Sequence, residues 1–290
     1  MLHLVHNPVA GRGRARDAAR AVRDALAARG IDSRIWTTER PGHATELTLS
    51  LPEDATVVAI GGDGTVHEVA KGCIGNGRLL GVVPTGSGDD FAHGLGLRRG
   101  RIEPAVDVLA AGHVRTVDTG VCNEEPFVNA VGVGFDAEVG HRVAEAPRPL
   151  AGLGAYLWSV AVCLRDLRPV RARIEADGRV VHEGPALLAS CLNGPRTGGS
   201  FRFAPAARMD DGRLDVLIGG SIGRLGTLGL LPRVMLGRHL THPHVRHLQA
   251  QRVVMRWEAP RAWHTEGETF APRERFEIEI RPASMRVLAP

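Results

Sequence analysis

The segment Val57-Val58-Ala59-Ile60-Gly61-Gly62-Asp63-Gly64-Thr65-Val66-His67-Glu68-Val69 holds the residue types and spacing best suited to chemistry. An apolar run leads into glycines that flank a single carboxylate, and a helical pattern follows. Gly61, Gly62 and Gly64 accept positive φ and let a ligand reach the backbone without meeting a Cβ. Thr65 and Glu68 fit a capping box, which predicts a helix starting there with its amide N–H groups facing the turn. A helix N-terminus behind glycines is an anion site, and phosphate is its usual guest. Asp63 alone would repel phosphate. A cation between them removes the conflict, so Asp63 reads as a divalent-metal handle. A tight turn with a solvated Asp is the plain alternative and the weaker one.

The elements that must position this turn repeat its form. Leu2 to Val5 reads as a strand, and the loop Asn7-Pro8-Val9-Ala10-Gly11-Arg12-Gly13 follows His6. A helix over Ala15–Arg29 then places Ala18, Val22 and Leu26 on one face, with Gly30 as its C-cap. Ile31–Trp36 reads as a second strand, and a helix spans His43 to Ser50. The four apolar residues Val57 to Ile60 suit a strand buried on both faces of a parallel sheet. Leu79–Val83 is the next buried strand and delivers Pro84-Thr85-Gly86-Ser87-Gly88-Asp89-Asp90-Phe91. Helical sequence runs from Glu103 to Ala111, followed by Thr116 to Val121. In an open parallel sheet, such strand ends line one crevice, and ligands bind there. Three loops of this kind (7–13, 61–65 and 84–90) are stronger evidence than any one.

After residue 121 short alternating strands dominate: Pro126–Val133, Val170–Ala176, Gly178–His182, Ala186–Leu192, Leu214–Ile218, Gln251–Trp257 and Phe276–Ile280. Helical blocks interrupt them at Gly154–Leu167 and Leu225–Leu236. This spacing predicts an antiparallel, sandwich-like second domain. The domains are therefore read as 1–121 (α/β) and 122–280 (β-rich), with 281–290 returning to the first.

Bulk properties exclude several classes. The 290 residues are 43% hydrophobic, enough for two cores, and the net charge is +4 with basic residues scattered, so nucleic-acid binding is not implied. Lys71 is the only lysine, so a Walker A loop, which needs Gly-Lys-Ser/Thr, is absent. Cys73, Cys122, Cys163 and Cys191 lie far apart in apolar sequence without a CxxC, which predicts buried reduced thiols in a cytoplasmic protein. Strand sequence from Met1 leaves no room for a targeting peptide. The apolar run Leu150–Leu164, with Gly152, Gly154 and Ser159, is shorter than the roughly 18–20 residues that span a bilayer.

With these segments in view, the chain resembles the catalytic family of diacylglycerol and sphingosine kinases, in particular its bacterial soluble lipid kinases. The resemblance rests on Asn7-Pro8-x-x-Gly11, Gly61-Gly62-Asp63-Gly64-Thr65, Pro84-x-Gly86-Ser87-x-x-Asp90-Phe91-Ala92, Val117-Asp118, Asp211-Gly212-x-Leu214-Asp215-Val216, His242-Pro243-x-Val245 and Glu266-Gly267-Glu268. The glycine-aspartate turn alone is shared with NAD kinases and 6-phosphofructokinases. The proline-glycine loop and the 211–216 and 242–245 segments point to the lipid-kinase branch. The resemblance implies a Rossmann-like (NAD-kinase-like) nucleotide domain with a parallel sheet, joined to an antiparallel β-sandwich-like domain that takes the acceptor. It implies ATP bound by Asn7, Pro8, Val9, Ala10, Gly11, Thr38, Gly62, Asp63, Gly64, Thr65, Val66, His67, Glu68 and Ser87. It further implies Mg2+ held through Asp63, Asp90 and Asp118, each expected at a strand end. The carbonyls of Arg208 and Arg213, with the side chain of Asp211, would form a separate structural metal site. Asp63, Glu266 and Glu268 are the implied catalytic residues. The partner would be a lipid or other hydroxyl acceptor, met in the cytoplasm or at the inner membrane face; a homodimer is left open.

Departures from the family pattern bear on specificity. The usual Asp-Gly-Glu is Glu266-Gly267-Glu268 here. Its first acid resembles the residue that activates the acceptor hydroxyl, and its last is often assigned as proton acceptor. Glutamate reaches about one C–C bond further, and a displacement near 1 Å can cost on the order of 100-fold. His67 and Asp89 stand where the family commonly has asparagine, and Asp89 adds negative charge on the phosphate side. His239, His242, His244 and His247 have spacings that could hold zinc, but Pro243 breaks any helix and no carboxylate is spaced to join them, so a structural role is favoured. Asn193–Ser200 reads equally as an acceptor-lining loop or a surface loop. The helix around Tyr156, Leu157, Trp158, Val160 and Ala161 reads first as core, and second as a membrane-contacting patch flanked by Arg142, Arg148 and Arg165. Three functions stand: a lipid kinase, a kinase for another hydroxyl compound, and a nucleotide- or lipid-binding regulator.

Overall fold

Runs of β-branched and small apolar residues make the first unit's strands, and glycine-terminated helices return the chain between them. In the computed structural model, which describes residues 1–98, 100–143, 145–147, 149–150, 153–199 and 201–290, the chain divides into two units. Unit 1 comprises Met1–Thr119, Met209–Asp211 and Arg281–Pro290; unit 2 comprises Gly120–Arg208 and Gly212–Ile280. Arg148, Gly152 and Ser200, which entered the expectations above, lie outside the described residues.

The elements of unit 1 are β1 (Leu2–His6), a short 3-10 helix (Ala10–Gly13), α1 (Arg14–Ala27), β2 (Ser33–Thr37), α2 (His43–Ser50), β3 (Thr56–Gly61), α3 (Asp63–Cys73), β4 (Leu79–Pro84), α4 (Asp90–Gly94) and α5 (Ile102–Ala111). In α1 the buried Ala15, Ala18, Ala19, Val22 and Leu26 recur at helical spacing. Its end is closed by Gly30 at φ 72°, and Ile31 N–H returns to the Leu26 carbonyl. Strands β2, β1, β3 and β4 pair in that order, all parallel, with Leu4 opposite Ile35 and Val58, and Val58 opposite Gly81. Residues Arg286 and Val287 add a further parallel strand beside Leu79 and Leu80. Leu4, Val22, Leu26, Val58, Ile60, Val106, Leu109 and Leu288 share the core.

Strand β5 (Val114–Cys122) begins in unit 1 and ends in unit 2. Unit 2 continues with β6 (Glu125–Phe127), β7 (Ala130–Gly134), α6 (Phe135–Val143), α7 (Leu153–Arg165), β8 (Val170–Ala176), β9 (Arg179–Leu192), β10 (Leu214–Gly220), α8 (Arg224–Met235), β11 (Val245–Ala250), β12 (Arg252–Thr265) and β13 (Glu268–Leu288), whose end returns to unit 1. Its pairs are antiparallel. The first part of β9 and of β12 pairs with β8, and the last part of each with β7. The two long strands thus pass from one set of partners to the other, β12 through an irregularity between Arg256 and Arg261. This bend lets Ile174, Ala189, Val216, Val253, Met255 and Phe276 enclose one core.

Several sequence-based boundaries are corrected. Gly178–His182 and Ala186–Leu192 are one strand, because Gly184 at φ 146° bends the chain without ending its pairing. Pro126–Val133 is two strands, broken at Val128 and Asn129. The 3-10 helix, helices α4 and α6 and strand β11 were not expected, and β12 and β13 run well beyond their predicted ends.

All four cysteines are free and buried. Burial pushes the Cys73 and Cys122 thiols up to about 12 and Cys163 up to about 11, and it raises Cys191 as well. The thiolate is the reactive form. A chromogenic thiol reagent at pH 8 should therefore leave the native protein essentially unlabelled and titrate four thiols after unfolding; rapid labelling of the native protein would contradict this burial.

Candidate active site

The parallel register sets the loops. His6 lies opposite Ile60, and Gly61 opposite Pro84, so the segments after β1, β3 and β4 leave the sheet at one edge. After β1, Asn7 Oδ1 accepts the Val9 N–H (3.0 Å) and the Asn7 carbonyl accepts that of Ala10 (3.1 Å). This Asx turn bends the chain through Pro8 into the 3-10 helix that contains Ala10 and Gly11, with Val9 exposed. Thr38, after β2, is buried and donates its N–H to the His6 carbonyl at 3.0 Å.

Helix α3 begins at Asp63, two residues earlier than the capping box predicted, with extended Gly62 as N-cap and no side chain capping it. Thr65 turns inward instead: a Cβ on Gly61 would lie 2.5 Å from Thr65 Oγ1. Glu68 is drawn to α2, where Oε2 accepts the Ala44 N–H at 3.1 Å and the Glu68 carbonyl accepts the Thr45 hydroxyl at 2.7 Å. Val66 and His67 are buried on α3, and Gly64 is exposed.

The loop after β4 closes against this turn. A Cβ on Gly62 would stand 3.0 Å from Gly86 Cα, and one on Gly86 only 2.4 Å from Gly62 Cα. Buried Asp89 takes the left-handed conformation (φ 56°), and its Oδ1 accepts the Gly86 N–H at 3.0 Å. Its negative charge thus serves the loop's own backbone. The Asp63 carboxylate accepts the Asp89 N–H at 2.8 Å and the Asp90 N–H at 2.7 Å. Burial pushes the Asp63 carboxyl above the usual carboxylate range, while these N–H donors pull it back down. A Cβ on Gly88 would lie 2.5 Å from Asp63 Oδ2 and 3.5 Å from Asp90 Oδ2, so both carboxylates border the space this glycine leaves. Ser87 is exposed at the loop's tip. Asp118 was expected at a strand end, but it lies within β5, buried, with Oδ1 accepting the Ala283 N–H at 2.7 Å.

In unit 2, Glu266 and Gly267 connect β12 to β13, with Thr265 paired to Glu268. Glu266 Oε1 accepts the N–H groups of Val128 (3.0 Å), Asn129 (2.7 Å) and Ala130 (3.2 Å). Gly267 N–H donates to His264 Nδ1 at 3.3 Å, and His264 Nε2 stands 3.6 Å from Asp136 Oδ2, which accepts the Ser190 hydroxyl at 2.9 Å. Sequence reasoning missed Asn129, Asp136, Ser190 and His264. An asparagine inside a strand pattern was the one available sign, of a break at 129.

Comparison with known proteins decides what kind of chain carries this arrangement. The family model of the diacylglycerol kinase catalytic domain matches residues 1–122, and that of the YegS C-terminal NAD kinase beta sandwich-like domain matches 129–289. The diacylglycerol kinase of Staphylococcus saprophyticus is 30% identical over 256 residues, covering 86% of this chain and 83% of that protein. That of Bacillus subtilis (strain 168) is 29% identical over 254 residues, covering 86% and 84%. The chain belongs to the diacylglycerol kinase family. A crystal structure from Bacillus anthracis str. Sterne, put forward as a diacylglycerol kinase, superposes with TM-score 0.81 at 25% identity, covering 100% of this chain and 97% of that one. An NAD kinase from Archaeoglobus fulgidus in complex with ATP shares the fold at TM-score 0.55 and 11% identity, covering 99% and 93%.

This member of the diacylglycerol kinase family is a lipid kinase, with an NAD-kinase-like α/β fold and a C-terminal β domain. Its other singled-out residues fall as follows. Asp211 lies in the Met209–Asp211 stretch that belongs to unit 1, with Arg208 and Arg213 on either side in unit 2. The histidines do not form one centre: His239 Nε2 is 3.0 Å from the Phe203 carbonyl, and His242 Nδ1 accepts the His244 N–H at 3.3 Å. A carboxylate does join one of them, contrary to expectation: Asp215 Oδ1, from the neighbouring strand, is 2.6 Å from His247 Nε2. In the Asn193 loop, Asn193 Nδ2 donates to the Val128 carbonyl at 2.8 Å, tying it to the strand break. Helix α7 buries Ala155, Ser159, Val160, Cys163 and Leu164 and exposes Leu157; Arg142 pairs with Glu145. Among the described residues no helix is long and apolar enough to cross a membrane.

The Gly62–Gly86 approach makes a direct prediction. Gly86→Ala should destabilise the fold by about 1–3 kcal/mol through overpacking against backbone, read as a lower denaturant midpoint. Gly64→Ala, whose Cβ meets nothing within 4 Å, should leave that midpoint unchanged or raise it. Equal midpoints for the two variants would mean that the glycine contact carries no energetic weight.

Proposed function

We propose that the protein transfers the γ-phosphoryl group of ATP, bound with Mg2+, to a hydroxyl of a diacylglycerol-like lipid. The observation that carries this reading is the glycine-walled turn bearing Asp63, in a chain of the diacylglycerol kinase family. Unit 1 would hold the nucleotide along Asn7–Gly11, Thr38, Gly62–Glu68 and Ser87. The start of α3, which no side chain caps, offers its N–H groups and dipole to the phosphates. An NAD kinase of the same fold has been solved with ATP.

The residues fit a hard cation. Asp63 and Asp90 carboxylates border the space left by Gly88, a cradle that any Cβ would fill, and carboxylate oxygens are the donors magnesium prefers. Asp63, Asp90 and Asp118 would hold it. A bound magnesium ion supplies charge neutralisation between nucleotide phosphates. The Asp89 and Asp90 N–H groups orient the Asp63 carboxylate for this task. Arg208 and Arg213 carbonyls with Asp211 are proposed as a second, structural metal site. Glu268, at the start of β13, is proposed to accept the proton of the acceptor hydroxyl.

A lipid acceptor, in preference to a soluble one, is supported by an apolar cavity of about 60 Å³ within unit 2, lined by Phe135, Tyr156, Leu188, Phe201, Leu230 and Leu231. Leu157 on α7 and Leu225 and Leu228 on α8 are exposed and would suit contact with a bilayer or micelle.

The test is transfer of labelled γ-phosphate from Mg-ATP to diacylglycerols, monoacylglycerols, ceramide and sphingosine in mixed micelles. A labelled lipid is expected from wild type, and Asp63→Ala should lower the rate by at least about 100-fold. Normal turnover in that variant would remove Asp63 from the reaction. Leu231→Trp, which fills the cavity, should depress use of long-chain acceptors more than short-chain ones; equal effects would exclude the cavity as an acyl site.

A further inference from the structure

Of the two acids at the β12–β13 connection, Glu266 is half-buried and Glu268 is exposed. Glu266 (φ 51°) and Gly267 (φ 85°) are the left-handed positions of a two-residue connection between paired Thr265 and Glu268. Asn-Gly and Asp-Gly are the usual occupants of such a turn. A glutamate there carries a backbone penalty, because its Cβ crowds the following carbonyl oxygen. Its side chain supplies the compensation. One oxygen, Oε1, gathers three successive N–H groups, at 3.0, 2.7 and 3.2 Å, and the Glu266 N–H returns to the Ala130 carbonyl at 3.2 Å. Converging backbone N–H groups of this kind form an anion nest.

Effects of this contact spread outward through unit 2. Asn129 donates Nδ2 to the Arg196 carbonyl at 2.9 Å, and its own carbonyl accepts the N–H groups of Asn193 (2.7 Å) and Gly194 (3.2 Å). The loop that begins at Asn193 is thus fastened to the segment that Glu266 holds. On the opposite side of the turn, His264 Nδ1 takes the Gly267 N–H. Side-chain length decides whether the nest can be reached. An aspartate would withdraw the accepting oxygen by about 1.5 Å, one C–C bond, which carries each contact past hydrogen-bonding range.

We infer that Glu266 is a positioning residue: its carboxylate anchors Val128–Ala130, and through Asn129 the loop after Asn193, leaving Glu268 to accept the hydroxyl proton. The inference rests on the lipid-kinase reading above. It also accounts for glutamate in a turn position that aspartate or asparagine usually fills. The longer side chain serves to span to the nest.

Full-length Glu266→Gln, Glu266→Asp and Glu266→Ala would be compared with wild type in the micellar assay and by amide hydrogen exchange. Glutamine keeps an accepting oxygen but cannot act as a carboxylate base. Glu266→Gln is expected to lose less than about 10-fold in kcat and to keep the wild-type pH–rate profile. Glu266→Ala and Glu266→Asp should each raise the acceptor KM by about 10-fold or more. Exchange at residues 128–130 and in the loop after Asn193 should accelerate in the Ala variant but not in the Gln variant. A 100-fold or larger fall in kcat for Glu266→Gln, a loss on the scale of general-base removal, with KM and exchange unchanged, would overturn the proposal. So would wild-type exchange at 128–130 in Glu266→Ala. If wild type itself phosphorylates no lipid, the functional reading fails, and the exchange comparison still decides the anchor.

Discussion

The turns that carry Asp63 and Asp90 in unit 1 depend on two α-carbons that must be bare. Gly62 ends one strand's turn and Gly86 the next, and a methyl group on either would stand 3.0 Å or less from the other's backbone. Their approach brings the Asp89 and Asp90 N–H groups within reach of Asp63. Burial raises the cost of charge on that carboxylate, and its fixed N–H donors offset part of that cost. The parallel register of β1, β3 and β4 supplies the common edge, and the absent side chains supply the closeness.

Unit 2 meets the opposite requirement, since its two long strands must bend. By exchanging partners part-way along, β9 and β12 wrap a core that a flat sheet of the same strands would leave open on one face. A bend also disrupts ladder bonding, and side chains restore it locally. The asparagines at 129 and 193 and the glutamate at 266 bond to backbone groups where the strands stop. Polar residues concentrate at those breaks because buried backbone groups must find partners.

How much of this could be read from the chain alone follows from the range of each interaction. The strand-turn-helix at 57–69 was legible because buried strand, glycines and helix lie within a few residues of one another. The strands and longer helices of unit 1 were placed to within one or two residues for the same reason, whereas the short helices Ala10–Gly13 and Asp90–Gly94 were read as loop. The helix start at Asp63 was misjudged because Thr65 is turned by packing against Gly61 and Glu68 is drawn to Ala44, contacts that the pattern of four residues does not contain. In unit 2 the alternation marked strands but not their continuity, so Gly184 looked like an end when it is a bend. The pairs His264 with Asp136 and His247 with Asp215 join residues far apart in sequence, and nothing local announces them.

Strand β13 has a further consequence, for how the chain is made. Its last residues pair with Leu79 and Leu80, roughly 200 positions earlier. At about 5–20 residues per second of synthesis, β4 waits on the order of ten to forty seconds for its final neighbour. During that interval its free side is an open row of N–H and C=O groups, the kind of edge that invites pairing with another nascent chain. Contacts of such high order also slow folding, because a long loop must close before they give any return. The first unit to emerge is therefore the last to be finished, and its assembly is timed by the synthesis of the second.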